Sequence, residues 1–565
     1  MRLRVAILFY LICCITMQLS AQDPSGRAAA EAAGKVMSPA QIRAHMRFLS
    51  DSLLQGRAPG TAGYDIAARY VATELEGMGL NPGASGSWYQ TVPLAKAVTD
   101  ASASSLVLTR NGKERKLIDA KDYVLSTWFA SPAKGESRPE SDVSAPVVFV
   151  GFGVTAPNRK YDDYSGVDAR GKIVATIYGG PPAFPSTERA YYSDEIVKQR
   201  NAVAHGAVGR LSIVLPEDWK RYPWDWLVPQ IQVGEMHWLD SHGVLHDFFP
   251  ELRGAALLSE QETELLFSGA SKTAEEVFAA ARASKPQGFP LPLGAHIHTV
   301  ANQTVVQSPN IVAELKGSDP ALRDQYAVYT AHVDHLGICP PVNGDNVCHG
   351  TIDNGSGTST LLEIARAYAT LPPPRRSVLF VFVTGEEMGL LGSDYFAHFP
   401  TVPLRSIVAN VNIDGAPGTY FPMKDVVALG AEHSSLGDEV ASAAKTIGYD
   451  LSPDPMPEEV LFIRSDQYSF VLQGIPAVDI TDGTRSTDPK VDGLAVIKQW
   501  LVTRYHTPLD NMEQPIDYDS AAKGAVMNFL VGYQVAQHAN PPDWNKGDFF
   551  GTTFGPRHNA QREAE

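Results

Sequence analysis

Three stretches in the second half of the chain are apolar almost without interruption: Ser377–Thr384 (SVLFVFVT), Ile407–Asp414 (IVANVNID) and Ile475–Ile480 (IPAVDI). They lack the alternation of a half-exposed strand, so they predict strands buried on both faces. A fourth strand-like run, Tyr326–Ala331 (YAVYTA), comes before them. Around these runs lie helix-like segments at Thr358–Leu371, Ser393–His398, Leu436–Ile447 and Asp519–His538. Strands alternating with helices predict an α/β fold, with a mostly parallel, mixed sheet and helices on both faces. Nearer the N-terminus, Ser38-Pro39 starts a helix with Ile42, His45, Met46 and Leu49 at helical spacing. A second helix, about Tyr64–Met78, carries Ala67, Tyr70, Val71 and Leu75 on one face. The glycine-rich Leu53–Gly63 stretch between them has neither P-loop nor GxGxxG spacing and reads as a tight connection.

From about Ser137 the texture changes to short β-like runs separated by turns, including Val147–Val154 and Arg210–Leu215, and it ends near Leu258–Phe267. The acidic residues Asp162, Asp163 and Asp168 there read as a solvated turn rather than a calcium loop. Trp219, Trp224, Trp226 and Trp238 fall close together; a substrate groove and an interface with the alternating region explain them equally well. The tail after Pro541 reads as polar and loose.

Composition changes this picture only in part. A chain of 565 residues, 44% hydrophobic and 19% charged, is ordinary globular material with room for two or three domains. A formal charge of -16 disfavours nucleic acid and anionic membranes as partners. Residues 1–21 read as a cleavable signal peptide: Arg2 and Arg4, then the apolar Val5–Met17, then cleavage after Ala21. An uncleaved anchor is the competing reading. Export places the mature chain in the periplasm or outside the cell, and it meets the membrane only through that segment. Two of the four cysteines go with the leader. The others, Cys339 and Cys348, read as a disulfide in an exported chain; metal binding is the alternative, disfavoured by spacing and compartment.

The candidate chemistry sits where strands end. His332 and Asp334 follow the first buried strand, two residues apart and so on one face. Asp353 lies on a glycine-rich turn, Glu386-Glu387 and Asp414 follow two more strands, and His506 lies in the loop Tyr505–Asp510. Strand C-termini are where open α/β sheets place their sites. Two histidines, two aspartates and a glutamate pair suit two zinc ions, each with one histidine and one terminal carboxylate, and one carboxylate shared. Adjacent glutamates leave the backbone in different directions, so one can bind metal while the other stays free to take a proton from water and pass it to a leaving amine.

At this point the motifs resemble a family, the M28 metallopeptidases of the leucyl-aminopeptidase type. The resemblance rests on Ala331–Gly337 (AHVDHLG), Asp353–Gly357 (DNGSG), Gly385–Ser393 (GEEMGLLGS), Asn412-Ile413-Asp414, Ser465-Asp466, Gly474–Ala477 and Tyr505–Pro508 (YHTP), in that order. Gly56-Arg57 and Trp88-Tyr89-Gln90 look like the family's N-terminal segment. The resemblance implies the zinc-exopeptidase fold and an aminopeptidase acting on peptides. By motif, His332 and Asp414 would hold one zinc, Glu387 and His506 the other, and Asp353 would bridge. Glu386 would be the general base toward a metal-bound water, Tyr505 a donor to the oxyanion, and Asp334 the partner orienting His332. Where many members read Ser-Asp-His, this chain has Ser465-Asp466-Gln467. The β-rich stretch, with its Gly166–Val174 sequence GVDARGKIV, looks like a protease-associated domain. The resemblance thus divides the chain into a catalytic unit (38–135 and 273–540), an inserted protease-associated unit (136–272) and a tail (541–565). His335 reads as a histidine off the metal, Asp510 as a turn cap, and Arg464 as an ion-pair partner of Asp466 or another acid rather than a reader of substrate carboxylate. A carboxypeptidase or dipeptidase of related fold, and a non-catalytic binding protein that keeps the fold, are the alternatives.

Overall fold

The four buried runs form the middle of one sheet in the computed structural model, which describes residues 24–132 and 135–555; the signal-peptide reading lies outside them. In chain order the main strands of this sheet are β1 (Tyr89–Thr99), β2 (Phe289–Leu315), β3 (Tyr326–His332), β4 (Ser377–Val383), β5 (Ile407–Asn412), β6 (Asp425–Leu429) and β7 (Ala477–Asp482). Across the sheet they run β1-β2-β4-β3-β5-β7-β6. The central four, β4, β3, β5 and β7, are parallel, with β2 antiparallel on one side and β6 on the other. All seven residues of β3 and all seven of β4 are buried, because each strand is covered above and below.

Alternation along β3 and β4 splits their side chains between two cores. Tyr329, Ala331, Phe380 and Phe382 join a core with the helices α1 (Pro39–Leu49), α2 (Gly357–Thr370) and the long closing helix Tyr518–Gln537. Val328, Leu379, Val381 and Val383 join another, with Phe396 of the helix Leu391–His398 and Phe470 beyond it. Within the α1 segment, Ile42, His45, Met46 and Leu49 are the buried face, as their spacing predicts.

A second sheet grows from the first half of β2. Residues 289–300 pair with Glu140–Phe149, which leads through Ile173–Ile177 and Gly209–Ile213 to Ala255–Leu258. Ser105–Arg110 also pairs with β2, so this sheet reaches outside residues 136–272 on both sides. Its own core draws on Leu106, Val147, Phe149, Ile173, Leu211 and Ile297. Two expectations differ here. Asp163 is buried rather than solvated: its carboxylate accepts from Phe152 N, Val154 N and the Tyr161 hydroxyl. The segment after Pro541 is packed as far as it is described, with Phe550 and Phe554 buried and Trp544 Nε1 donating to Gly474 O at 2.8 Å. Its aromatic residues, spaced among polar ones, supply the apolar surface that holds it. Among the described residues no helix is long and apolar enough to cross a membrane.

Phe380 is fully buried at the middle of β4, stacked parallel on Tyr329 at 6.0 Å. Truncating such a ring leaves a cavity the rigid sheet cannot close. Phe380→Ala therefore lowers unfolding stability by about 3–5 kcal/mol, read from the midpoint of a urea titration; a loss within ordinary surface-mutation range contradicts this packing.

Candidate metal centre

The parallel strands all present their C-terminal ends to one edge, and the acids and histidines arrive there from the strand ends. His332 is the last residue of β3. Glu386 and Glu387 follow β4 by a few residues, Asp414 follows β5 by two, and Asp479 lies on β7. Asp353 comes from the turn Thr351–Ser356 that opens α2. His506 comes from the loop before the closing helix.

The turn carrying Asp353 is tied down from three directions. The buried carboxylate of Asp510 accepts from Ile352 N at 3.0 Å and Asp353 N at 3.1 Å. Asn354 donates from Nδ2 to Ile413 O at 2.9 Å and accepts at Oδ1 from Gly357 N and Gly415 N, which staples this turn to the one carrying Asp414. Beneath it, the buried guanidinium of Arg57 donates to Val333 O at 2.8 Å, His349 O at 2.6 Å, Gly350 O at 3.0 Å and to Leu49 O. Burial lowers Arg57 to about 10, with Asp334 and Asp510 acting against that, so it stays a cation under the acidic cluster. The neighbouring Gly56 has φ +70°, and a Cβ there would lie 2.3 Å from Gly337 O. Only glycine lets the two chains approach so closely. Leu53–Gly63 is thus more than a connection, because it delivers the clamp beneath the site.

The side chains form two groups around one carboxylate. His332 Nε2 lies 3.4 Å from Asp353 Oδ1 and 3.3 Å from Asp414 Oδ1. His506 Nε2 lies 3.3 Å from Asp353 Oδ2 and 3.1 Å from Glu387 Oε2. Donor atoms at about 2.0–2.2 Å from a tetrahedral zinc stand about 3.3–3.5 Å from one another. The contacts therefore have the spacing of coordination edges, and His506 Nε2 is a buried nitrogen that makes no hydrogen bond. Glu386 Oε2 is further out, 3.9 Å from His332 Nε2. All five residues expected as ligands, and Glu386, converge.

The side chains around them are only in part those named from the sequence. His335 is buried, with Nδ1 at 2.5 Å from Glu387 Oε1, so it holds the oxygen turned away from His506. Its position three residues past His332, beyond the strand end, hides this from an alternation argument. Asp334 lies 3.8 Å from His332 Nδ1 and accepts from the backbone N–H of Glu386 and Glu387, joining two strand ends. Asp479 accepts from Asp414 N at 3.3 Å. Arg464 does not pair with Asp466; it donates to the Tyr505 hydroxyl at 3.1 Å and faces Glu459 at 3.7 Å. The Tyr505 ring stacks on His506 at 3.7 Å. A cavity of about 600 Å³ opens from Asp353, Glu386 and Asp414. Tyr222 and Trp226 reach it from the segment between the two sheets' strands, while Trp238 instead donates to Asp394 at 2.8 Å. The Cys339–Cys348 disulfide closes a hairpin beside this edge.

Electrostatics follow from too many acids in too little water. Burial pushes Glu386, Asp479 and Asp466 up, Glu386 and Asp479 well above the carboxylate range and Asp466 to about 6. For Asp353 and Glu387 burial acts the same way, but the histidines overcome it, taking Asp353 well below its ordinary value and Glu387 to about 2. An excess of buried carboxylate is stable only with cations to pair it.

Residues 310–529 match the family model described as Peptidase family M28. The chain is similar to aminopeptidase YwaD of Bacillus subtilis, 29% identical over 216 residues, covering 38% of this chain and 41% of that protein. It is also similar to the probable leucine aminopeptidase 2 of Aspergillus oryzae, 29% identical over 178 residues, covering 31% and 33%. The chain thus spans less than half the length of these relatives. Among solved structures, the aminopeptidase from Aneurinibacillus sp. strain AM-1 superposes with a TM-score of 0.53 at 19% identity, covering 91% of this chain and 97% of that one, which shows a shared fold.

Without metal, Asp334 is lifted to about 7 and Asp466 to about 6, both mainly by burial. His506 is lowered by burial but raised further by Glu387 and Asp353, to about 9. These folded-state values exceed the ordinary 3.8 and 6.5, so the stability they contribute is whole at low pH and is lost as pH rises through 6, 7 and 9. Asp353 and Glu387 act oppositely, but only below the ordinary carboxylate range. The chelator-treated protein therefore melts at progressively lower temperature from about pH 6 to pH 9, and zinc restores most at the alkaline end; calorimetric scans showing no slope across that range contradict the assignment.

Proposed function

We propose that this chain, which belongs to peptidase family M28 through residues 310–529, is an exported zinc aminopeptidase that removes residues from the N-termini of peptides. The observation that carries the reading is the pair of donor groups sharing Asp353, each with one histidine and one further carboxylate at coordination-edge spacing. In this reading His332 and Asp414 would hold one zinc, Glu387 and His506 would hold a second, and Asp353 would serve both. Zinc bound there would polarise the scissile carbonyl and acidify water.

The remaining steps belong to side chains. Glu386, held beside the donor groups and raised by burial, takes the proton of the attacking water and delivers it to the leaving amine. The Tyr505 hydroxyl accepts from Arg464, which leaves its own proton to donate to the developing oxyanion. Burial lifts Tyr505 well above its ordinary value, so it stays a donor. The charge of Arg464 is met by Tyr505 and Glu459. That supports an aminopeptidase over a carboxypeptidase or dipeptidase that reads a terminal carboxylate. The complete donor set argues against a non-catalytic binding protein. We take the second sheet and its helices as an inserted protease-associated module that roofs the cavity through Tyr222 and Trp226. Export is supported by residues 1–21 and by the disulfide.

Glu386→Gln keeps its zinc and loses about 10²–10⁴ in kcat on Leu-p-nitroanilide; wild-type turnover in that variant removes the base assignment. Tyr505→Phe lowers kcat by about 10²–10³ with KM little changed, and a change confined to KM makes Tyr505 a binding residue instead. N-blocked dipeptides remain uncleaved; their hydrolysis favours the dipeptidase reading.

A further inference from the structure

Outside the Asp353 cleft, a second cluster of metal-type donors joins the inserted segment to the catalytic sheet. Asp394 and His398 lie four residues apart on the helix Leu391–His398, hence on one face. His246 and Asp247 come from the loop after the strand Glu235–Trp238. One donor atom each from His246, Asp394 and His398 falls within 4.8 Å of the others. His246 Nε2 stands 3.2 Å from Asp394 Oδ2 and 3.3 Å from Asp247 Oδ2, and His398 Nδ1 stands 3.3 Å from Asp394 Oδ1. The two histidine-to-Asp394 separations are those of neighbouring ligands around one small cation.

The cluster is also braced as metal ligands are. Trp238 Nε1 donates to Asp394 Oδ2 at 2.8 Å, and the Trp238 ring stacks on His246 at 3.9 Å and 10°. Arg200 donates to the far oxygen of Asp247 at 3.2 Å. Such outer contacts fix the direction of a ligand before the ion arrives. In the metal-free arrangement His398 Nδ1 donates to Asp394 O at 2.8 Å and Nε2 accepts from Gln473 at 3.1 Å. Coordination through Nδ1 moves the ring proton to Nε2, where Gln473 turns its amide oxygen to receive it; the imidazole stays neutral and no proton is lost.

We propose that His246, Asp394 and His398 form a zinc site, with Asp247 braced beside His246, that pins the His246 loop to the helix following Glu386-Glu387. Two imidazoles and a carboxylate suit a borderline divalent cation rather than calcium or magnesium. Because it bridges two segments of the chain, the site holds structure. It is independent of the proposed peptidase reaction, because its readout is a difference in bound metal between variants that both keep the cleft intact.

After zinc loading and gel filtration, elemental analysis finds one zinc per chain fewer in His246→Ala/His398→Ala than in the wild-type protein, whatever number the cleft holds. Equal zinc content overturns the proposal. Glu386→Gln leaves this difference unchanged, so failure of the catalytic reading and failure of this one are told apart. If the double variant does not fold, His246→Gln, which keeps a planar side chain against Trp238, shows the same deficit. In the wild-type protein itself, zinc protects His246 and His398 from carbethoxylation by diethyl pyrocarbonate, followed by peptide mass spectrometry. Unchanged labelling of both rings with and without zinc likewise rejects the site.

Discussion

The constraint on which the rest depends is a concentration of carboxylates at one edge of a buried sheet. Asp334, Asp353, Glu386, Glu387, Asp414, Asp466, Asp479 and Asp510 crowd around three histidines, and most have lost their water. Charge of one sign in such a place is unstable by itself, and protonation alone relieves it only by pushing several groups far from their ordinary range. Multivalent cations relieve it directly. The same excess that strains the metal-free site would draw cations to it.

A sheet with four parallel strands supplies the means. Parallel strands end together, so residues hundreds of positions apart in the chain emerge side by side. What remains is to hold the turns that follow. Arg57 does so from below with main-chain acceptors on three segments. Asp334 ties the end of β3 to the glutamate turn, and Asn354 and Asp510 fix the turn of Asp353. None of these need touch substrate; they set where the ligand atoms stand. The second sheet is continuous with the first through β2, and the segment between their strands brings Tyr222 and Trp226 to the cavity.

Much of this could be read from the sequence. Strands covered on both faces are near-continuous apolar runs, so β3, β4, β5 and β7 were plain, and the acids and histidines just past their ends followed. Helix faces such as Ile42, Met46 and Leu49 were legible from period alone. Other parts left no local signal. Arg57 sits in a glycine-rich loop and acts on backbone carbonyls, which carry no side-chain signature. His335 lies beyond the strand, where alternation no longer applies. Asp163 owes its burial to backbone donors brought in by folding. The borders of the second sheet are blurred because β2 serves both sheets as one unbroken strand of 27 residues. The His246 cluster joins residues some 150 positions apart, on elements whose contact no pattern in the chain announces.

The proposed reaction depends on whether Asp353 serves two cations. Diffraction from crystals of the zinc-loaded protein, recorded on both sides of the zinc absorption edge, tests it most directly. The account predicts two anomalous peaks, one between Asp353 and the His332–Asp414 pair and one between Asp353 and the His506–Glu387 pair. A single peak, or density at neither position in well-ordered crystals, contradicts it.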